Sequence, residues 1–210
     1  MNKKNKIELV KKGYELPLME SFYTLQGEGF HKGRAAFFVR IGGCDIGCHW
    51  CDVKESWDPK IHPLTDINKI IKQAKKHSKV VVITGGEPLM WPMGPLTKKL
   101  QDLGISTHLE TSGAYPLSGF WNWICLSPKK TKLPHEECYK SADELKIIVY
   151  NKSDFNFAEL QSKKVRKECK LFLQPEWGVR KNINPTIVDF VLKNPKWKIS
   201  LQTHKYLNIP

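Results

Sequence analysis

With 210 residues and 40% hydrophobic content, the chain is long enough for one domain with a full core, and no composition break marks a second. Its formal charge of +13 comes from lysines spread in short pairs such as Lys75-Lys76, Lys129-Lys130 and Lys163-Lys164. Without an Arg-rich arm or zinc-finger spacing, direct nucleic-acid binding is not expected, and anionic small substrates account for the charge equally well. No run approaches the ~18 apolar residues of a membrane span, and the Lys-rich residues 1–12 lack the apolar core of a signal peptide or anchor. Six cysteines with no sign of pairing point to a reducing compartment, so the expected location is the cytoplasm.

After a basic N-terminal extension over residues 1–15, residues 17–25 read as extended and break at Gln26-Gly27-Glu28-Gly29. Two glycines around an amide and a carboxylate make either a loop where backbone approaches a ligand or an ordinary hairpin turn. Residues 35–41 follow as a buried strand. Near its end Arg40 needs a partner, either a structural carboxylate or an anionic ligand.

The strand runs into Gly43-Cys44-Asp45-Ile46-Gly47-Cys48-His49-Trp50-Cys51-Asp52, a C-x3-C-x2-C spacing in a loop that is a poor apolar pocket for structural thiols. A structural zinc site needs four protein ligands, and His49 sits inside the same short turn, while Cys125, Cys138 and Cys169 have no C-x2-C partner. An iron–sulfur cluster held by Cys44, Cys48 and Cys51 would leave one iron without a protein ligand, the open position that a catalytic site requires. The cluster is the favoured reading.

Farther on, Asp66 caps a helix through about His77, with Ile67, Ile70, Ile71 and Ala74 as its apolar stripe. Residues 80–83 form an all-apolar strand ending in Thr84-Gly85-Gly86-Glu87-Pro88, where a ligand can lie on bare backbone and Glu87 can meet a cation, unless the segment is a plain turn. The alternation continues with a helix over 95–103, a strand over 106–109 ending in Glu110-Thr111-Ser112-Gly113, and an apolar run over 121–126 ending in Ser127-Pro128-Lys129. Then come a strand over 144–150, a helix over 154–162 and a strand over 170–173 ending in Gln174-Pro175. Asn184 is expected to cap a helix with Pro185 at its first position and Ile187, Val188, Val191 and Leu192 buried. A strand over 198–201 leads to Gln202-Thr203-His204-Lys205 and a tail, residues 203–210, expected to close on the substrate site.

Strands alternating with helices over short connections argue for an α/β fold with a mostly parallel sheet or partial barrel. The glycine and polar clusters fall after strands rather than before them, so they should meet at the carboxyl edge of the sheet around one cavity.

The C-x3-C-x2-C loop with Trp50 before its last cysteine resembles the signature of the radical S-adenosylmethionine (SAM) enzymes. Leu25-Gln26-Gly27-Glu28-Gly29, Phe38-Val39-Arg40 ahead of Gly42-Gly43-Cys44, Glu110-Thr111-Ser112-Gly113, Ser127-Pro128-Lys129, Leu173-Gln174-Pro175 and Gln202-Thr203-His204-Lys205 with Pro210 narrow the resemblance to the 7-carboxy-7-deazaguanine synthases, from about Phe22 to the end. The G-G-E-P element supports only the superfamily; the Q-G-E-G loop and the Q-T-H-K ending are more restrictive.

That resemblance implies an abbreviated (β/α) barrel of the radical SAM type, a homodimer, and a lyase of the queuosine and 7-deazapurine pathway. In such enzymes 6-carboxy-5,6,7,8-tetrahydropterin rearranges to 7-carboxy-7-deazaguanine with loss of ammonia, after SAM is cleaved to a 5'-deoxyadenosyl radical that takes a hydrogen atom. It also implies a flavodoxin-like or ferredoxin-like electron donor. Carried onto this sequence, Cys44, Cys48 and Cys51 would hold [4Fe–4S], and Trp50, Cys51, Asp52, Gly86, Glu87, Gly113, Ser127, Lys129 and Gln174 would bind SAM. Leu25, Gln26, Gly27, Glu28, Arg40, Thr111, His204 and the Pro210 carboxylate would hold the pterin. Gln26 and Glu28 can match the amide and amino groups of a pterin edge, and Arg40 suits a carboxylate. Where many relatives carry a Thr or Ser whose oxygen helps bind Mg2+, this chain has Val53, which cannot ligate a hard cation, so weak or absent Mg2+ dependence is expected. The rival readings are a glycyl-radical-activating enzyme and a zinc-stabilised basic RNA-binding module.

Overall fold

The computed structural model describes residues 3–210, with side chains from Asn5 onward. Helix α1 (Lys3–Lys11) leads into β1 (Glu15–Leu25), β2 (Ala35–Ile41) and β3 (Leu64–Asp66). The alternating part of the chain comprises α2 (Ile67–His77), β4 (Val80–Gly85), α3 (Gly94–Asp102), β5 (Ser106–Thr111), β6 (Trp123–Leu126), α4 (Glu136–Ser141) and β7 (Glu144–Val149). It ends with α5 (Ser153–Ser162), β8 (Lys170–Pro175), α6 (Arg180–Lys193), β9 (Trp197–Ile199) and α7 (Thr203–Leu207).

Among the described residues the strands form one nine-stranded sheet in the order β3-β1-β2-β4-β5-β6-β7-β8-β9. From β2 onward every pairing is parallel, whereas β1 pairs antiparallel with both β2 and β3. The sheet is open, as a partial barrel is. Strand periodicity divides its residues between two faces. One face carries Val81 and Ile83 against Ile67, Ile70, Leu96 and Leu100, and Leu145, Ile147 and Val149 against Phe155, Ala158, Ile183 and Ile187. Full burial of each of the larger of these side chains contributes about 1.5–3 kcal/mol, so the helices are anchored on this side. The other face begins apolar, with Phe22, Ala36, Phe38, Val80 and Val82 in a small cluster, and turns polar at the carboxyl ends of the strands.

Asp66 caps α2 by accepting from the Asn68 N–H at 2.7 Å, and the stripe Ile67, Ile70, Ile71 and Ala74 is buried as the spacing predicts. Helix α6 departs from expectation. It begins at Arg180, so Pro185 lies inside it rather than at its first position. The Glu176 carboxylate accepts from the N–H groups of Gly178 and Val179, and Val179 O accepts from Asn182 and Ile183, so a helical turn is established before the proline is reached. The earlier start draws in Ile183; Ile183 and Ile187 are buried, while Val188 and Leu192 are exposed. Short β3 and α4 were not foreseen, and the expected tail contains α7. The stretch expected as a basic extension holds α1 and the first residue of β1; its residues 1–2 lie outside the described residues. No helix among the described residues is long and apolar enough to cross a membrane.

Candidate active site

The loop after β2 is built on backbone contacts. Gly43 N–H donates to Ser56 O at 2.6 Å and Cys44 N–H to Trp57 O at 3.1 Å, while Cys51 N–H closes a turn on Cys48 O at 3.0 Å. Gly43 has φ 106°, a region open to glycine at little cost. The loop after β4 locks onto it: Gly86 N–H donates to Ile41 O at 2.8 Å and Glu87 N–H to Gly43 O at 2.7 Å. A methyl group on Gly86 would sit 2.2 Å from Gly43 O, so the glycine pair is required by the neighbouring strand and loop.

Cys44, Cys48 and Cys51 are half-buried free thiols. Burial, the largest influence, pushes the Cys44 thiol up to about 11 and raises Cys48 as well. Iron binding would therefore displace protons from both. Among the described residues no three His, Cys, Asp or Glu side chains converge closely enough for a single metal ion. A cubane cluster asks something else: each thiolate must reach a different iron, and a glycine-bearing loop with three thiols on one cavity wall suits that. The buried thiols of Cys125, Cys138 and Cys169 stand apart from this wall.

The cavity has a volume of about 490 Å³, and the sequence motifs meet on it. Of the residues singled out for SAM, Trp50, Cys51, Asp52, Gly86, Glu87, Ser127, Lys129 and Gln174 line it; Gly113 lies behind, where a methyl would meet Leu126 and Pro134. All eight of the residues singled out for the pterin line it. Glu87 is buried, and its oxygens accept from Leu89 N–H at 3.0 Å, Thr111 Oγ1 at 2.5 Å, Ser112 N–H at 2.8 Å and Ser112 Oγ at 2.5 Å. This carboxylate thereby fixes the loops after β4 and β5. Lys129 donates to Ser127 Oγ at 2.7 Å and lies 5.6 Å from the Trp50 ring centroid; burial, the largest influence, lowers its pKa.

At the opposite wall Arg40 finds a structural carboxylate, Glu20, at 2.6 Å, and covers the Phe22 ring. Gln26 donates to Glu110 at 3.2 Å, and Glu28 accepts from Gln202 at 3.0 Å. Between them lies Lys146, 2.5 Å from Glu28 and 2.9 Å from Glu110, its side chain almost entirely buried. Burial, the largest influence on Glu28, opposes its ionisation, yet Lys146 and Gln202 together hold its carboxyl down to about 2. Helix α7 closes this end: Thr203 N–H and Oγ1 both bond Gly27 O, at 2.9 and 2.7 Å, and the His204 ring lies where a Gly27 methyl would be. Burial, its largest influence, lowers the His204 pKa.

Lys146 and Ser200 belong to none of the motifs read from the sequence, while Glu110 and Gln202 stand in such motifs but carried no role of their own. Ser200 Oγ links Gln174 at 2.7 Å to the Gly29 N–H at 2.9 Å. A charged residue at alternate positions of a strand reads as a solvated face, and only the strand's place in mid-sheet makes Lys146 internal.

The radical SAM superfamily model matches residues 38–120. A 7-carboxy-7-deazaguanine synthase of Flavobacterium psychrophilum is 60% identical over 201 residues, covering 96% of each chain. One from Synechocystis is 47% identical over 92% of this chain and 93% of its own. The crystal structure of QueE from Escherichia coli superposes with a TM-score of 0.79 at 26% identity, covering 95% of this chain and 99% of that one.

Proposed function

Because the chain belongs to the 7-carboxy-7-deazaguanine synthases of the radical SAM superfamily, we propose that its cavity takes a 6-carboxytetrahydropterin and SAM side by side and yields 7-carboxy-7-deazaguanine with loss of ammonia. The observation that carries this reading is the meeting, on one cavity, of the three-thiol loop with the Gln26–Glu28 loop and α7. When bound, the cluster and SAM supply a one-electron reductive cleavage that begins hydrogen-atom abstraction from the substrate. The chain's own residues bind, orient and exclude water.

Cys44, Cys48 and Cys51 hold the cluster in this reading. Lys129, Ser127, Gln174 and the backbone at Gly86 face the sulfonium ligand, while Glu87 acts by fixing the loops around it. Gln26, Glu28 and Thr111 meet the pterin's amide and amino edge, and Arg40, His204 and the Pro210 end meet its carboxylate side. Holding the target hydrogen near the reacting carbon, with α7 shutting out solvent, is the main task of such a site. Glu20 already occupies one edge of Arg40, leaving the rest of the guanidinium for an anionic substrate.

Magnesium finds few free oxygens beside the cluster loop. Asp52 is paired with Lys205 at 2.6 Å, and Val53 O accepts from Ser56 N–H at 3.1 Å and Ser56 Oγ at 2.7 Å. Weak Mg2+ dependence follows. The reading further includes a homodimer, a flavodoxin-like or ferredoxin-like donor, and the cytoplasm, where thiolates stay reduced.

The deciding experiment incubates anaerobically reconstituted protein with 6-carboxytetrahydropterin, SAM and reductant. Formation of 7-carboxy-7-deazaguanine supports the reading, and its absence with an intact cluster sinks it. Sedimentation at assay concentration tests the dimer.

A further inference from the structure

Gln26, Glu28, Glu110 and Lys146 form a closed ring of hydrogen bonds at the floor of the cavity. Glu28 N–H donates to Gln26 Oε1 at 3.1 Å, Gln26 Nε2 donates to Glu110 Oε1 at 3.2 Å, and Lys146 Nζ joins Glu110 Oε2 to Glu28 Oε2. The members come from the loop after β1, from β5 and from β7, so the ring is set by the sheet register rather than by one flexible loop. All four residues line the cavity. Each carboxylate oxygen of Glu28 and Glu110 has one partner within the protein, counting Gln202 Nε2 on Glu28 Oε1, and keeps a second lone pair for a ligand.

Two carboxylates and one ammonium give this floor a net charge of −1, although the chain as a whole is strongly basic. An acceptor-rich, net-negative floor is complementary to a flat ring edge that carries several N–H donors. It is hostile to an edge that presents carbonyl oxygens, which would be buried against carboxylates with no donor.

Building on the proposed pterin reading, we propose that Lys146 is a positioning residue and Glu110 a specificity-determining one. Lys146 pins Glu28 and Glu110 as a pair of acceptors that selects the 2-amino-4-oxopyrimidine edge of the substrate over its 2,4-dioxo counterpart. Lys146 itself need not touch the substrate. Lys146 is buried and its charge would be costly there without both carboxylates, while Glu28 and Glu110 are about four-fifths covered and are held together by it. The titratable groups around it are Glu28 from the loop after β1, Glu110 on β5, Cys125 on β6, Glu144 on β7, Lys129 after β6, and His204 on α7 facing Glu28.

The test uses reconstituted holoenzyme and measures binding of two non-reacting probes, 6-carboxypterin and 6-carboxylumazine, together with KM and kcat for 6-carboxytetrahydropterin from pH 6 to 9. Wild type should favour the pterin over the lumazine by ~10³-fold and show a flat KM. Lys146→Met should raise KM at pH 7 by about 30-fold with a smaller change in kcat. Without the shared cation the two carboxyls compete for a proton, so its KM should fall as pH rises and the second carboxyl ionises. Glu110→Gln, which removes the clash without removing bulk, should bring the two probes within ~10-fold of each other, and Lys146→Arg should restore most of the wild-type KM. Cluster iron content and substrate-free SAM cleavage, measured in parallel, report whether each variant is folded. Equal binding of both probes to wild type overturns the proposal, as does a flat, unaltered KM in folded Lys146→Met. If wild type cleaves SAM but binds no pterin, the functional reading itself fails, and this one with it.

Discussion

Asp52, beside the third cysteine of the loop after β2, lies 2.6 Å from Lys205 on α7, joining residues 153 positions apart on the lining of the cavity. Asp52 is more than half exposed, so water screens the pair and its worth is about 0.2–1 kcal/mol. Lys205→Met should therefore raise KM for the pterin by only ~2- to 5-fold, with an effect that shrinks in high salt. Initial-rate kinetics at two ionic strengths check this. A hundredfold loss would mean that Lys205 does more than hold α7.

Glu87 predicts a stability effect. Truncation to Ala orphans two buried N–H donors, those of Leu89 and Ser112, and should cost about 3 kcal/mol. For a chain of this length that lowers Tm by roughly 6–12 °C in a thermal scan. Glu87→Gln keeps the shape but turns an NH2 group toward donors, and should lose part of that amount.

Val53 predicts weak Mg2+ dependence. EDTA treatment followed by desalting should leave wild-type turnover within about twofold, whereas Val53→Thr, which adds a hard oxygen on the cavity wall, should gain activity on Mg2+ addition. A sharp wild-type loss reversed by Mg2+ would contradict this.

Acid stability is set partly by His108, whose ring lies 4.7 Å from that of His31. Burial, chiefly, and then the neighbouring His31 and Arg34 lower its pKa to about 4. Below the ordinary histidine value near 6.5 the unfolded chain takes up a proton that the folded one refuses, so stability present at neutral pH is lost as pH falls from about 6.5 toward 4. The loss from this group is about 3 kcal/mol, and denaturant titrations of His108→Gln should show a flatter profile over that window.

Which parts of this molecule could be read from its residues has a physical pattern. β2 and the stripe of α2 were legible because apolar periodicity records burial directly. The gathering of motifs on one cavity was legible because, in a parallel sheet, strand ends share an edge. Helix α6 was misjudged because a proline after an asparagine is a strong local start signal, whereas the actual start depends on Glu176, whose capping role exists only once the chain turns at Gly178. Lys146 was invisible for a different reason. Its partners Glu28 and Glu110 are 118 and 36 positions away, and nothing local distinguishes it from a surface lysine.

The clasp between Thr203 and Gly27 has an energetic corollary. None of the side chains of α7 is buried, and its hold on the body comes from a few hydrogen bonds of Gln202 and Thr203, one screened ion pair, Lys205 and Tyr206 against the Trp177 ring and the His204 ring on Gly27. Peeling this segment away therefore requires far less free energy than disturbing any strand, and amide exchange over residues 203–207 should outpace that of β4 or β7 by orders of magnitude. On this reading the cavity would open at α7 first, with the sheet left intact.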